Sequence, residues 1–412
     1  MKLHYYIARR YLFSKKSSNA INLITWISII GIAVGAGALI IVLSVFNGLT
    51  QYIENLYGMF DPDVKIVAAE ERFFEFESEV FAEILASPNV KAVSRTIEGE
   101  VLFKYFDSKA AGLLKGVEAD FPEIAPLYEA VYDGEYNFEP RSDVVQGIFG
   151  YVIQSQLTAD RLDENFPIDV LYIPQGEKLG LRNLPRAIRQ DRIFPSGAFN
   201  VQSEYDAEYV VTDFEFVQNL LGKKGQISAF EIKLENPNQA KRTVSFLQKR
   251  LGEDYQVLDR YTQHETLYKV MRNEKLISYL ILTLMLVIAA VNIVGSLSMI
   301  VLEKTRDISI LKSMGMRWQD IRKLFLLDGL LIGTLGGGIG MALALIFYLL
   351  QVNFGLVKLQ GGASAAVEAF PIRVVGTDFA LVFTTVIVLA LFAAFYPSFK
   401  ASQVKITEGL NQ

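Results

Sequence analysis

Residues able to do covalent or metal chemistry are scarce in this chain, which has two histidines, His4 and His264, and no cysteine. Thiolate metal sites, cysteine nucleophiles and disulfides are therefore excluded, and two histidines so far apart offer a metal almost nothing. His264 lies beside Glu265, a pairing that reads as a solvated helix face before it reads as a general base. The paired carboxylates Asp61 and Asp63, and Glu70 and Glu71, occur about as often as chance would place them in an acidic segment. Gly336-Gly337-Gly338 invites a phosphate-loop reading, but it follows no strand. The Gly-x-x-x-x-Gly-Lys-Ser/Thr pattern is absent from the chain. An ATP-driven machine built on this chain needs another subunit to bind the nucleotide. The expectation is a non-catalytic protein with no cofactor or metal of its own; if it serves an ATP-driven machine, ATP and Mg reside on a partner.

The chemistry that remains is recognition, and one charged stretch is suited to it. Glu303-Lys304-Thr305-Arg306-Asp307-Ile308-Ser309-Ile310-Leu311-Lys312-Ser313-Met314-Gly315 separates two apolar runs. On a helix from Lys304 to Met314, the residues Ile308, Leu311 and Met314 share one face, with Lys304, Arg306 and Lys312 elsewhere and Gly315 as terminator. Two readings stay open at this point: a docking surface for a partner, or a plain loop whose cations only fix topology.

The elements that must position this stretch are apolar. Hydrophobic residues make up 51% of the chain and mean hydropathy is +0.28, with the apolar residues concentrated in four runs: 20–47, 276–302, 324–350 and 379–399. Each is long enough to span a hydrocarbon core of roughly 30 Å. Only the third contains a charge, Asp328. Near one end of its run, a carboxylate at the interface would cost less than the roughly 2.5–3.5 kcal/mol of one at mid-span. Small residues at four-residue spacing, Gly31 and Gly35, Ala33 and Gly37, Gly336 and Gly340, with Gly295 near Ala290, predict close helix packing. The uncharged spans offer no ion pathway of the kind secondary transporters use.

Charge is separated along the chain. Residues 48–270 carry 23 Lys and Arg against 37 Asp and Glu, whereas the remainder carries 17 against 8; an acidic domain argues against nucleic acid as its partner. Residues 1–19 mix Lys2, Arg9, Arg10, Lys15 and Lys16 with aromatic and apolar residues, the composition of a cytoplasmic interfacial helix. Ala36-Gly37-Ala38 resembles a signal-peptide cleavage site, yet the apolar run continues to Phe46, so a retained first span is expected. Six cations lie in 303–323 and only Lys358 and Arg373 in the loop 351–377. The positive-inside rule then puts both termini, the 303–320 joint and the tail 400–412 in the cytoplasm. Residues 48–270 and 351–377 fall outside.

The outer domain reads as α+β. Strands are expected at 64–68, 90–106, 206–212 and 227–234, and helices at 77–86, 145–162 and 238–251. Pro174, Pro185 and Pro195 with Gly176, Gly180 and Gly197 make 174–200 a loop-rich excursion.

The joint, followed by Asp320-Ile321 and Phe325-Leu326-Leu327-Asp328-Gly329, resembles the shared signature of the FtsX/MacB-type ABC transporter permeases. Ala8-Arg9-Arg10-Tyr11-Leu12, Asn19-Ala20-Ile21-Asn22, Gly31-Ile32-Ala33-Val34-Gly35 and Leu43-Ser44-Val45-Phe46-Asn47-Gly48 resemble the lipoprotein-releasing permeases of the LolC/LolE type. The likeness covers both ends of the chain; Lys405-Ile406 departs from it, standing where an acidic residue and proline are usual. It implies four transmembrane helices in a 1+3 arrangement around a periplasmic domain, with a MacB-like core (48–107 and 212–270) and an inserted lobe (108–211), in the inner membrane. It also implies a second permease chain, either a copy or a paralogue, and a separate LolD-like ABC ATPase. The cargo would be a lipoprotein, handed to a LolA-like periplasmic carrier.

By that match Glu303, Lys304, Arg306, Ile308, Leu311, Met314 and Gly315 inherit ATPase coupling. The loop Pro174 to Pro185 resembles a carrier-binding hook, with Leu179, Leu181 and Arg182 as contacts, though it lacks the Phe and Met of the best-known form. The uncharged faces of the first two spans, with Ile32, Leu39, Val42, Leu43, Phe46, Leu284 and Ile288, would form the lipid groove. Two alternatives stand beside this: an FtsX-like relay that regulates cell-wall hydrolysis, and a MacB-like exporter subunit.

Overall fold

The computed structural model describes residues 19–137, 144–158, 162–174, 188–358 and 369–405, with side chains from Leu23 onward. Among them the chain divides into two compact units, Ile53–Tyr268 and the segments flanking it.

The flanking unit is built on four helices, α1 (Asn19–Tyr57) before the central unit, and three after it. In the central unit, α2 (Ser78–Leu85), α3 (Tyr151–Leu157), α4 (Ser203–Glu208), α5 (Phe214–Leu221) and α6 (Ala240–Leu251) lie between strands. The three later long helices are α7 (Glu265–Glu303), α9 (Trp318–Phe354) and α10 (Gly376–Gln403), with the short α8 (Thr305–Ser313) joining the first two. All four long helices are long and apolar enough to cross a membrane.

Small residues set the helix contacts. A Cβ on Gly340 would stand 2.5 Å from the carbonyl oxygen of Ala33, so α1 and α9 touch backbone to backbone there. Gly336 likewise lies against Ile32. Gly295, by contrast, has open space beside it, so that glycine packs against no neighbour among the described residues. Asp328 lies ten residues into α9, which starts at Trp318. Its carboxyl group is buried, and neither of its oxygens has a hydrogen-bond partner among the described residues.

The central unit carries a ten-stranded sheet among its described residues. Its strands are β1 (Val64–Ala68), β2 (Val90–Tyr105), β3 (Ser108–Val117), β4 (Val131–Gly134) and β5 (Gln146–Gly150), then β6 (Ile168–Tyr172), β7 (Arg189–Phe199), β8 (Tyr209–Asp213), β9 (Ala229–Leu234) and β10 (Tyr255–Asp259). The order is β10-β1-β9-β2-β3-β8-β5-β7-β4, with β6 pairing β2 and β7. Only β3 with β8 and β5 with β7 run parallel. The 16-residue β2 bonds to β9, β3 and β6, joining both halves of the sheet.

Three expectations fail here for physical reasons. The segment 145–162 is strand β5 followed by α3, because β5 lies between two neighbours and its buried run Gly147-Ile-Phe-Gly150 shows no alternation to read. Strand β7 occupies part of the expected loop 174–200, its Pro195 tolerated at a register shift against Gly147 and Ile148. Residues 203–208 are the helix α4, and the strand expected at 206–212 begins at Tyr209.

Asp206 in α4 accepts the Val201 backbone N–H at 2.9 Å. Burial raises its carboxyl to about 6, above the ordinary value, so ionising it opposes folding. Stability should therefore fall as pH rises from about 4 to 6, by about 1–2 kcal/mol after screening. Melting temperatures of the full chain across that range check this, and Asp206→Asn is expected to flatten the slope.

Candidate functional site

The joint between α7 and α9 is a helix held at its rear and bare at its front. Thr305 Oγ1 donates to the carbonyls of Val301 and Leu302, closing the end of α7. Lys312 Nζ donates to the carbonyls of Ser402 (2.9 Å) and Val404, and Ser309 Oγ to that of Lys405. Cations on free helix-end carbonyls are favourable, so α8 is tied to the end of α10. Gly315 terminates it with φ +93°, a conformation side chains resist.

This arrangement redistributes the expected coupling residues. Ile308 is 1% exposed and packs in the helix core, so it cannot present itself to a partner. Leu311 is half-buried, Glu303 and Arg306 are exposed, and Lys304 pairs with Glu303 at 3.8 Å. Met314 is 71% exposed, and with Ile310 at 45% and Trp318 at 53% it forms the outward apolar patch. Periodicity alone could have offered Ile310–Met314 as readily as Ile308–Leu311; only the docking of α8 distinguishes them.

The groove residues divide the same way. Ile32, Leu39 and Leu43 are buried among the four helices in this structure, packed on their own neighbours. Val42 and Phe46 are half-buried. Leu284 and Ile288 face outward on α7, in line with Leu280 and Val291, and α1 presents Trp26, Ile27, Ile30 and Val34. Of the hook, Pro174 follows β6, while Leu179, Leu181, Arg182 and Pro185 lie outside the described residues. Beside Pro174 is a cavity of 540 Å³ whose lining includes Arg72, Glu100, Arg189 and Lys223.

His264, the histidine among the described residues, is tied into a network. Its Nε2 lies 2.6 Å from Asp61 Oδ2 and 3.1 Å from Tyr205 Oη, and Tyr205 donates to the same carboxylate. Burial, reinforced by Asp61, holds the Tyr205 phenol far above its ordinary value, so it stays a donor. The group joins the residues after α1 to those before α7 through α4, a structural tie the sequence did not reveal because its members are far apart in the chain.

Residues 25–240 match the family model described as the MacB-like periplasmic core domain, and residues 279–406 the FtsX-like permease C-terminal model. The lipoprotein-releasing system transmembrane protein LolC of Xylella fastidiosa is 24% identical, over 98% of this chain and 97% of that one. LolE of Haemophilus influenzae is 23% identical over the full length of both. The pyoverdine export ATP-binding/permease protein PvdT of Pseudomonas aeruginosa is 24% identical over 92% of this chain and 55% of its own length.

Proposed function

Because this chain belongs to the MacB-like periplasmic core domain family, we propose that it is the membrane-spanning permease subunit of a lipoprotein-releasing ABC transporter. The full-length likeness to the LolC and LolE proteins carries this reading. The bare apolar front of α8 supports it, as a surface where a separate LolD-like ATPase docks. The cations of 303–323 and their scarcity in 351–377 support a one-plus-three arrangement in the inner membrane, with α8 and both termini cytoplasmic and the α+β unit periplasmic.

No bond needs to form or break in this chain. ATP-driven closure of the partner pushes α8, and its ties to α10 spread the displacement through the helices. The outward faces of α7 and α1 accept acyl chains, each buried CH₂ contributing about 0.8 kcal/mol, and the 174–185 loop engages a LolA-like carrier. A second permease chain covers the remaining apolar surface. Mass spectrometry of the complex purified in nanodiscs tests the reading. A triacylated lipoprotein and an ATPase are expected; an activator of cell-wall hydrolases without lipid would overturn it in favour of the relay.

A further inference from the structure

Where α1 passes Phe46, three helices meet in a polar cluster. Asn47 Nδ2 donates to Asp378 Oδ2 of α10 at 2.6 Å, and Lys275 Nζ of α7 donates to Asn47 Oδ1 at 2.7 Å. Lys275 and Asp378 themselves approach to 3.6 Å. The amide thus stands between a cation and an anion with its oxygen toward one and its nitrogen toward the other, using both ends of its dipole. Asp378 sits in the first turn of α10, where a carboxylate is favoured by the helix dipole. The next residue, Gly48, lies so close to the chain before α10 that a Cβ would stand 2.3 Å from the Pro371 carbonyl oxygen. Arg373 N–H also donates to the Ser44 carbonyl at 3.0 Å.

The seams of α1 differ in kind. Against α9 it is joined by close backbone contact at Gly340 and Gly336. Against α7 it has Gly31 over Ala289 and Gly35 over Leu286, closed at one end by the Thr25–Ser296 hydroxyl pair (3.0 Å) and at the other by Asn47 and Lys275. One helical turn from Gly31 and Ala289 stand the outward apolar side chains Ile27 and Val34 of α1 and Met285 of α7. Lys275 keeps a third of its side chain exposed, so its charge can be rehydrated when the contact parts.

We propose that Asn47, Lys275 and Asp378 form a releasable clasp, and that its opening frees the α1–α7 seam to admit acyl chains. The admission step rests on the lipoprotein-releasing reading; the clasp itself rests on the geometry. Closed, the clasp holds three helices by charge-assisted bonds while the α1–α9 contact serves as the fixed hinge side.

The chain has no cysteine, so introduced pairs are unambiguous. In the complex purified with its ATPase, Asn47→Cys with Lys275→Cys, bridged across the α1–α7 seam by a short bifunctional maleimide, is expected to lower ATP turnover about fivefold or more, as expected when a coupled step is blocked. In nanodiscs, Lys275→Met and Asp378→Asn should each raise the entry rate of a fluorescent triacylated lipopeptide about fivefold, the effect of losing one partly exposed charged tie. The double variant Lys275→Asp with Asp378→Lys should return it toward the parent value, because the Asn47 amide can turn over to meet the exchanged charges. Unchanged turnover on bridging, or unchanged entry in both single variants, overturns the clasp. A parent complex that hydrolyses ATP but admits no lipopeptide refutes the lipoprotein reading instead, and the bridging result alone then decides the clasp.

Discussion

Glu231→Ala is expected to cost the central unit about 3–5 kcal/mol, the penalty for leaving a buried charge without its partner. Glu231 is fully buried and its Oε1 lies 2.8 Å from Lys115 Nζ, itself 2% exposed. Thr96 donates to the same oxygen at 3.1 Å. The Lys115 ammonium sits over the rings of Phe60 and Phe121, 4.7 and 4.8 Å from their centroids. Glu98 and Lys65 extend the row, 3.3 Å apart, so the two glutamates, on β9 and β2, are flanked by the lysines of β1 and β3. Without Glu231, the carboxylate left to Lys115 among the described residues is Glu98, at 3.9 Å.

Thermal and urea unfolding of the full chain in detergent checks this. Replacing both Glu231 and Lys115 by methionine should cost less than the two single changes summed. A single-variant loss under about 1 kcal/mol would refute the row as a determinant of stability. The pH signs follow from the shifts. Burial opposes charge on both members, but Lys65 and Lys115 hold Glu98 below its ordinary value, while Glu98 and Glu231 hold Lys65 above its own. The glutamate contribution is present above about pH 4.3 and lost as pH falls below it; the lysine contribution is present below about pH 10.4 and lost above it.

Ile310→Asp combined with Met314→Asp is expected to abolish co-purification of the ATPase while leaving the melting temperature within about 1 °C, since exposed substitutions are usually within ±0.5 kcal/mol. These side chains project from the front of α8, whose rear is fixed by Ile308 and by Lys312 on the end of α10. Ile308→Ala should do the opposite, costing about 2–5 kcal/mol through the cavity it leaves, with any loss of the ATPase secondary to unfolding. Pull-down and melting curves separate the two. An ATPase that still co-purifies with the surface variant would refute α8 as its dock.

Four long apolar runs, the acidic segment between the first two, the charged joint ended by Gly315 and the glycines at four-residue spacing were all legible in the sequence. Each is a local signal: hydropathy over twenty residues, charge over a loop, or small residues one turn apart. The permease signature was legible for the same reason, being contiguous. The tertiary structure decided which face of each amphipathic element is spent on its own neighbours. Ile308 and Ile310 are equally apolar, as are Leu39 and Leu284, and periodicity cannot say which of them the fold buries. It also decided the partners of isolated polar residues. Asn47 meets Lys275 and Asp378, and His264 meets Asp61 and Tyr205, across 59 to 331 positions of chain; those distances close only when helices and strands pack.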